Sequence, residues 1–490
     1  MPTVASSRRR HQRVSVLATL GVTAALVATG AEAPSPKADQ ALAAPGTPPN
    51  VVVIESDDQT VESMRVMSNV NTLLGDQGAA FERSFVNYSL CCPSRATFLT
   101  GQYMHNHGVL GNQAPNGGFN RFQDLHGRNN LAVWLRRAGY HTAMIGKYLN
   151  GYSNNPRVPF GWADWQAVAP DTQKVYDYTL NDNGTLVHYG TRPADFKQDV
   201  LTGRAVDLID RRAPRERPFF LWLTYTAPHG GGPNPNPNPP FNCNGTAKPA
   251  PRHAHAFDSE PLPRPLNFNE ADVSDKPAAI RNRPLLTAGE IANIQRRYRC
   301  RLESILSVDE GVRAVVRALR SSRELNDTVL VFTADNGFFH GEHRLPTGKT
   351  RIYEESIQVP LLMRGPGIPA GVSVDDLVIN ADLAPTIVEV AGANPGAVLD
   401  GRSLIPIVNQ PGIAQGRELL VEEPGFKAIR TERYMYAEHS SGERELYDLD
   451  RDPFELDSRH ADPDYALVRA QLAARLQELA SCAGSSCFSP

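Results

Sequence analysis

The sequence predicts an α/β fold, a sheet covered by helices on both faces, followed by a small antiparallel sheet with one helix. Three observations carry that prediction. Short, mostly apolar runs recur at Val51–Ile54, His141–Ile145, Phe219–Thr224, Thr328–Thr333 and Pro360–Met363, each with the length of a buried strand. Segments with helical spacing separate them, and strand–helix alternation is the pattern of an α/β sheet. Further on, Leu419–Glu422, Ala428–Arg430, Tyr434–Glu438 and Glu445–Leu449 are short strand-like stretches joined by polar turns, which read as an antiparallel sheet.

The 490 residues are too many for one small core and fit one large α/β domain plus a smaller one. With 41% apolar and 21% charged residues, the composition is that of an ordinary globular protein. A formal net charge of -3 gives no sign of a nucleic-acid partner, which a basic patch or stripe would announce. Any preference for an anionic substrate must therefore come from a local site.

The elements follow in chain order. Arg8, Arg9, Arg10 and Arg13 precede an uncharged apolar stretch, Val14–Thr29, and then small-residue sites at Ala31-Glu32-Ala33 and Ala41-Leu42-Ala43. That order reads as a secretory signal over 1–43, cleaved near Ala43, so a secreted or extracytoplasmic protein without a stable membrane span is expected. Residues 44–49 form a Pro/Gly-containing linker. Leu131, Trp134, Leu135 and Ala138 share a helical face that Gly139 ends. Residues 230–284, rich in Pro, Asn and Gly, read as a long surface insertion without regular core elements. Leu302, Ile305, Leu306, Val312, Val315, Val316 and Leu319 follow a helical period, with Asp309 as a polar interruption, and 464–479 also reads as helical. The expected organisation is a catalytic domain over 50–395 and a C-terminal subdomain over 396–490. Export permits disulfides, and the pairs expected are Cys243 with Cys300 and Cys482 with Cys487.

Four marked polar groups lie just after strands: Asp57-Asp58, Lys147, His229 and Asp335-Asn336. Ligands of open α/β sheets bind beyond the carboxyl ends of the strands, so these segments are expected to meet in one cleft. Three carboxylates and an amide suit a hard divalent cation, Ca²⁺ first and Mg²⁺ as the alternative, better than zinc. Each Asp pair alone would read as a turn or helix cap; together, after buried strands, they favour a metal. A lone Lys147, Lys349 or His229 would read as a solvated surface or loop residue.

The segment Leu90-Cys91-Cys92-Pro93-Ser94-Arg95, running into Leu99-Thr100-Gly101, resembles the signature of the formylglycine-dependent sulfatases, a family of the alkaline phosphatase superfamily. The resemblance extends over nearly the whole mature chain. Gly146-Lys147-Tyr148, Ala227-Pro228-His229, Thr333-Ala334-Asp335-Asn336-Gly337 and Lys349 before Tyr353-Glu354 match further family segments, and Asp400–Leu404 and Glu445–Leu449 match its C-terminal landmarks. It implies an alkaline phosphatase-like sandwich, with a large mixed, mostly parallel sheet between helices and a small C-terminal antiparallel sheet with a helix. It implies that Cys91 is oxidised to formylglycine by a formylglycine-generating enzyme and that the hydrate attacks sulfur. It implies a metal held by Asp57, Asp58, residue 91, Asp335 and Asn336, with Arg95, Lys147, His229 and Lys349 as catalytic groups. Prepositioned cations of that kind stabilise charge that develops on sulfate oxygens.

Two positions depart from the family pattern. Leu149 stands where many members have His, leaving His229 or His340 as the base, and Gln102 stands where many have a basic residue. The Cys91–Arg95, Gly146–Tyr152 and Pro159–Trp162 segments most resemble the N-acetylglucosamine-6-sulfatase branch, which implies sulfated amino sugars or glycosaminoglycan fragments, with aryl sulfates as compatible substrates. Trp162 and Trp165 are open to two readings, sugar stacking or core. The alternatives are a phosphatase or phosphonate monoester hydrolase of the same superfamily, and a catalytically dead carbohydrate-binding protein.

Overall fold

The computed structural model describes residues 48–153, 157–170, 173–213, 217–231, 243 and 245–488. The expected signal, most of the linker and part of the Pro-rich insertion lie outside them.

A ten-stranded sheet organises the main part. Its strands are β1 (Asn50–Ser56), β2 (Ala79–Phe81), β3 (His141–Gly146), β4 (Asp164–Val168), β5 (Tyr178–Asp182), β6 (Thr185–Tyr189), β7 (Phe219–Thr224), β8 (Thr328–Ala334), β9 (Leu361–Arg364) and β10 (Val372–Val374). Across the sheet they lie in the order β10-β2-β9-β8-β1-β7-β3-β4-β5-β6. The centre is parallel: β1 pairs with β7, Val51 opposite Phe220, and with β8, Val51 opposite Val329. Antiparallel pairs, β9 with β8 and with β2 on one side and β5 with β4 and β6 on the other, make the sheet mixed.

The apolar runs are continuous because both faces are covered. Val51 and Val53 point into one core with α1 (Cys91–Thr100), α2 (Leu131–Arg137) and α5 (Leu383–Ala391); Val52 and Ile54 point into the other with α3 (Lys197–Arg212) and α4 (Ala288–Ser321). The Asn130 side chain caps α2 by accepting from the Val133 N–H. Helix α4 starts well before the expected Leu302, where Thr287 and Glu290 form a capping box; the run of arginines up to Arg301 hides its apolar stripe. Asp309, the polar interruption, accepts from the Asn69 and Val70 N–H groups and ties α4 to the segment after β1.

Strands β11 (Leu419–Glu423), β12 (Phe426–Arg430), β13 (Tyr434–His439) and β14 (Arg444–Asp448) form an antiparallel sheet, and α6 (Ala466–Leu479) packs Leu472, Leu476 and Leu479 against it. The main core continues past residue 396 through Leu404, Ile407, Val408 and Ala414. The described part of the 230–284 insertion holds only a short turn at Pro251–His253 and a short helix at Ala278–Arg281, yet it buries Ala247, Ala250, Leu262, Val273 and Ile280. Cys243 is bonded to Cys300 and Cys482 to Cys487, as expected, and Cys91 and Cys92 are free and buried. No helix among the described residues is long and apolar enough to cross a membrane.

Candidate active site

The carboxyl ends of β1, β3, β7 and β8 open on one side of the sheet and supply the site. Asp57 still belongs to the ladder, its N–H donating to the Ala227 carbonyl at 3.2 Å. Asp58 then turns into the left-handed region, with φ of 64°. Asp tolerates this better than most residues, and the turn sets both carboxylates in one space. From β8, Asp335 accepts the Asp58 N–H at 3.0 Å, and the Asn336 amide donates to Asp58 Oδ1 at 2.8 Å.

Cys91 is the first residue of α1, after an extended Leu90. Its Sγ lies 3.5 Å from Asp57 Oδ1 and accepts from Lys349 Nζ at 2.9 Å. Burial first, and then the Asp57 charge, push the thiol up to about 12, so cysteine here stays protonated at neutral pH. Arg95 stands one turn further along the helix and is fully buried. Its guanidinium reaches Asp335 Oδ2 at 2.9 Å, Glu55 Oε1 at 3.2 Å and the Lys147 carbonyl at 2.8 Å. Burial alone would lower its pKa, but Glu55, Asp335 and Asp57 raise it, so Arg95 is a fixed cation.

Lys147 pairs with Asp57 Oδ2, and Lys349 pairs with Asp58 Oδ1 while also donating to Asn336 Oδ1 at 3.2 Å. Burial would raise both aspartates, but the lysines and His229 hold Asp57 and Asp58 below the ordinary carboxylate range. Asp335 goes the other way, raised by burial and by the Asp57 charge. His229 follows Pro228 at the end of β7. Its Nδ1 lies 2.8 Å from the Gly230 carbonyl, and Nε2 faces Asp58 Oδ2 at 3.7 Å.

Lys147 depends on the residue before it. Gly146 has φ of 115°, and a Cβ there would lie 1.9 Å from the Thr224 carbonyl oxygen. Gly146→Ala is therefore expected to cost about 2 kcal/mol or more and to displace Lys147. Chemical denaturation beside steady-state kinetics checks both effects.

The structure thus brings Asp57, Asp58, Cys91, Arg95, Lys147, His229, Asp335, Asn336 and Lys349 together. It does not bring His340: that ring is buried against Tyr298 and Phe338, and burial pushes its pKa well below the usual range. Leu149, at the place of the missing His, is a core residue. Trp162 and Trp165 are core as well, Trp162 stacking on Trp222 and Trp165 donating to the Tyr152 hydroxyl at 2.9 Å. Gln102 turns away to the Val398 carbonyl.

Sequence reading missed three supports. Glu55 braces Arg95. Arg301, buried in α4, donates to the Pro228 carbonyl at 2.8 Å and to the Asp58 carbonyl, tying the His229 turn to the aspartate turn. The 112–120 loop walls the cleft, with Asn112 accepting the Cys92 N–H at 2.9 Å; its only sequence signal is the Asn-Gly-Gly turn at 116–118. Cys91, Lys349 and His229 open into a cleft of about 520 Å³ that Asn112, Gln113, Phe119, Asn120, Asn150 and Gln173 also line.

The donor chemistry fits a divalent cation. One ligand atom from each of Asp57, Asp58, Cys91 and His229 lies within 4.8 Å of the others. Beside them, the Lys349 ammonium pairs with Asp58 Oδ1 and donates to Asn336 Oδ1, a cation already seated among hard oxygen donors.

The sulfatase family model matches residues 49–393, and the model described as N-sulphoglucosamine sulphohydrolase, C-terminal, matches 341–482. The N-acetylglucosamine-6-sulfatase of Homo sapiens is 32% identical over 495 residues, covering 90% of this chain and 86% of that protein. A Sulf-1 homologue of Caenorhabditis elegans, described among extracellular sulfatases, is 35% identical over 364 residues, 73% of this chain; the chain spans 49% of that relative's length. Among solved structures, a protein in complex with its substrate D-glucosamine-2-N,6-O-disulfate superposes with a TM-score of 0.73 at 23% identity, covering 88% of this chain and 97% of the other. The phosphonate monoester hydrolase of Agrobacterium radiobacter shares the fold with a TM-score of 0.63 at 22% identity, covering 88% and 95%. On the family match and the end-to-end relatives, the chain belongs to the sulfatase family of sulfuric ester hydrolases.

Proposed function

We propose that this chain is an exported sulfatase that hydrolyses sulfate monoesters, of sulfated amino sugars or glycosaminoglycan fragments, through a formylglycine made from Cys91. The observation that carries the proposal is the placement of Cys91: at a helix start, on the floor of a cleft, among three carboxylates and three cations. A plain thiol held protonated there is a poor nucleophile. Once oxidised and hydrated, residue 91 supplies one hydroxyl to attack sulfur and a second whose proton loss expels sulfate. Maturation needs a formylglycine-generating enzyme.

The chain's own residues have distinct tasks. Asp57, Asp58, Asp335 and Asn336 would hold one divalent cation, Ca²⁺ first and Mg²⁺ second, which supplies positive charge to the sulfate oxygens. Lys147 and Lys349 add fixed charge beside residue 91, the positive end of α1 points at it, and Arg95 orients the metal ligands. Lys349 and His229 both line the cleft and are the groups placed to protonate the departing alcohol. The amide side chains of the cleft wall suit a hydroxyl-rich substrate, and Phe119 offers the ring face that the buried tryptophans cannot. The named relatives and the disulfated glucosamine of the solved neighbour support the amino-sugar reading, and the extracellular relatives support export.

The test is the mass of the tryptic peptide Ser84–Arg95 from the native host, taken with turnover of N-acetylglucosamine 6-sulfate and of matched aryl sulfate and phosphate esters. Formylglycine at residue 91 and faster sulfate ester turnover are expected. An intact Cys91 in active protein would overturn the mechanism, and faster phosphate ester turnover would favour the phosphonate hydrolase-like reading that the shared fold keeps open. Chelation is expected to remove most of the activity, and Ca²⁺ to restore it better than Zn²⁺; assay before and after dialysis checks this.

A further inference from the structure

A second convergence of metal-ligating side chains lies outside the cleft. His343, Glu355 and Glu455 each place a ligand atom within 4.8 Å of the others. His343 comes from the loop after β8, Glu355 from the return of that loop, and Glu455 from beyond β14.

The histidine is oriented as a ligand is. Glu270 Oε2 lies 2.8 Å from His343 Nδ1. In the tautomer whose Nδ1–H donates to that carboxylate, the Nε2 lone pair faces the cluster, the arrangement that fixes metal-binding imidazoles. Nε2 is 4.0 Å from Glu355 Oε2. Both Glu355 Oε2 and Glu455 Oε1 are buried without a hydrogen-bond partner.

Asn267, only 1% exposed, adds an independent observation. Its amide is aimed into the cluster, with Nδ2 at 2.7 Å from Glu355 Oε1 and 3.2 Å from His343 Nε2, while its Oδ1 has no partner. A half-turn of that amide, which changes no packing, presents the oxygen instead. Lys276 stands 3.3 Å from Glu270 and answers that carboxylate, but among the described residues no Lys or Arg side chain forms an ion pair with Glu355 or Glu455.

We propose that His343, Glu355 and Glu455 bind one zinc ion, with the Asn267 amide oxygen completing the set. An imidazole nitrogen with two carboxylates and a neutral oxygen is a zinc donor set, whereas the oxygen-rich cleft suits calcium. The ion would join the Pro-rich insertion to the C-terminal subdomain. It would also brace the 337–353 loop that carries Lys349, beside the Tyr353 ring already stacked on His343 at 4.0 Å.

The test uses the full chain in a Cys91→Ala background, so that the cleft thiol takes no zinc. The protein is stripped with EDTA, saturated with Ca²⁺ and titrated with ZnCl₂; bound metal and the thermal midpoint are then measured. One retained zinc per chain and a raised midpoint are expected. Glu355→Gln should lose the zinc and keep its calcium. Glu270→Gln, which touches no ion, should weaken zinc about 10–100-fold and stands in if Glu355→Gln does not fold. A parent chain that retains no zinc, or a Glu355→Gln or Glu270→Gln chain that retains it as tightly as the parent, overturns the proposal.

Discussion

Cys91→Ala protein is expected to fold, to load its metal and to turn over sulfate esters more slowly by on the order of 10⁴-fold or more, the scale on which enzymes lose rate with their nucleophile. The side chain removed is small and its environment polar, so little packing is lost. Its partners, Asp57 and Lys349, keep each other's company through Lys147, Asp58 and Asn336. The loss should therefore fall on kcat, with stability changed little. Cys91→Ser probes the same point from another side: a serine hydroxyl at residue 91 has no second oxygen to expel sulfate, so one covalent turnover at most is expected. Single-turnover kinetics with mass analysis of residue 91 checks both variants. A Cys91→Ala protein with near-parental kcat would remove residue 91 from the chemistry.

Arg95→Ala is expected to be the most destabilising single change in the site, by roughly 3–5 kcal/mol, the cost of stripping one partner from a buried ionic network. Arg95 is fully buried and serves Glu55 and Asp335, which are 3% and 2% exposed. Its removal takes the ion-pair partner from both carboxylates, leaving Asp335 only the charge of Lys147 and Lys349, and frees the Lys147 carbonyl. Arg95→Lys keeps the charge but loses the fork that spans three acceptors, so an intermediate loss is expected. Urea denaturation of the three proteins checks the order. Because Asp335 also fixes the Asp58 backbone, affinity for the divalent cation should fall in the same order.

The parts of the fold legible in the sequence are those set by local pattern. Val51–Ile54 and Phe219–Thr224 read as buried strands because both faces are covered, and the polar residues that follow them could be expected at one end of the sheet. Two strands at one side of the sheet were not legible from pattern: Ala79–Phe81 and Val372–Val374 are three residues each, too short for periodicity to register. The first half of α4 was hidden by its arginines, of which Arg301 proves to be a structural tie and not a surface charge. Within the site, the aspartates and Lys147 stood out because each follows a buried strand, whereas Cys91 and Lys349, the latter in a loop, stood out through the family resemblance. Glu55 did not, because a carboxylate inside an apolar strand looks like an exception until its arginine arrives from another segment. His340, read as an alternative base to His229, turns inward instead, and the two tryptophans take the core reading of the two left open.

The burial of Cys91 also sets a schedule. Its side chain is 1% exposed once the fold is complete, too little for any second protein to grip the surrounding segment. If residue 91 is oxidised, the oxidation has to come while that stretch is still an open chain. The last piece of its enclosure, Lys349, follows Cys91 by 258 positions, so an emerging polypeptide offers the segment long before it can be sealed. Anything that hastens closure, or delays the oxidising enzyme, would leave well-folded and permanently inactive molecules. Specific activity would then record the timing of biosynthesis and not the quality of the fold.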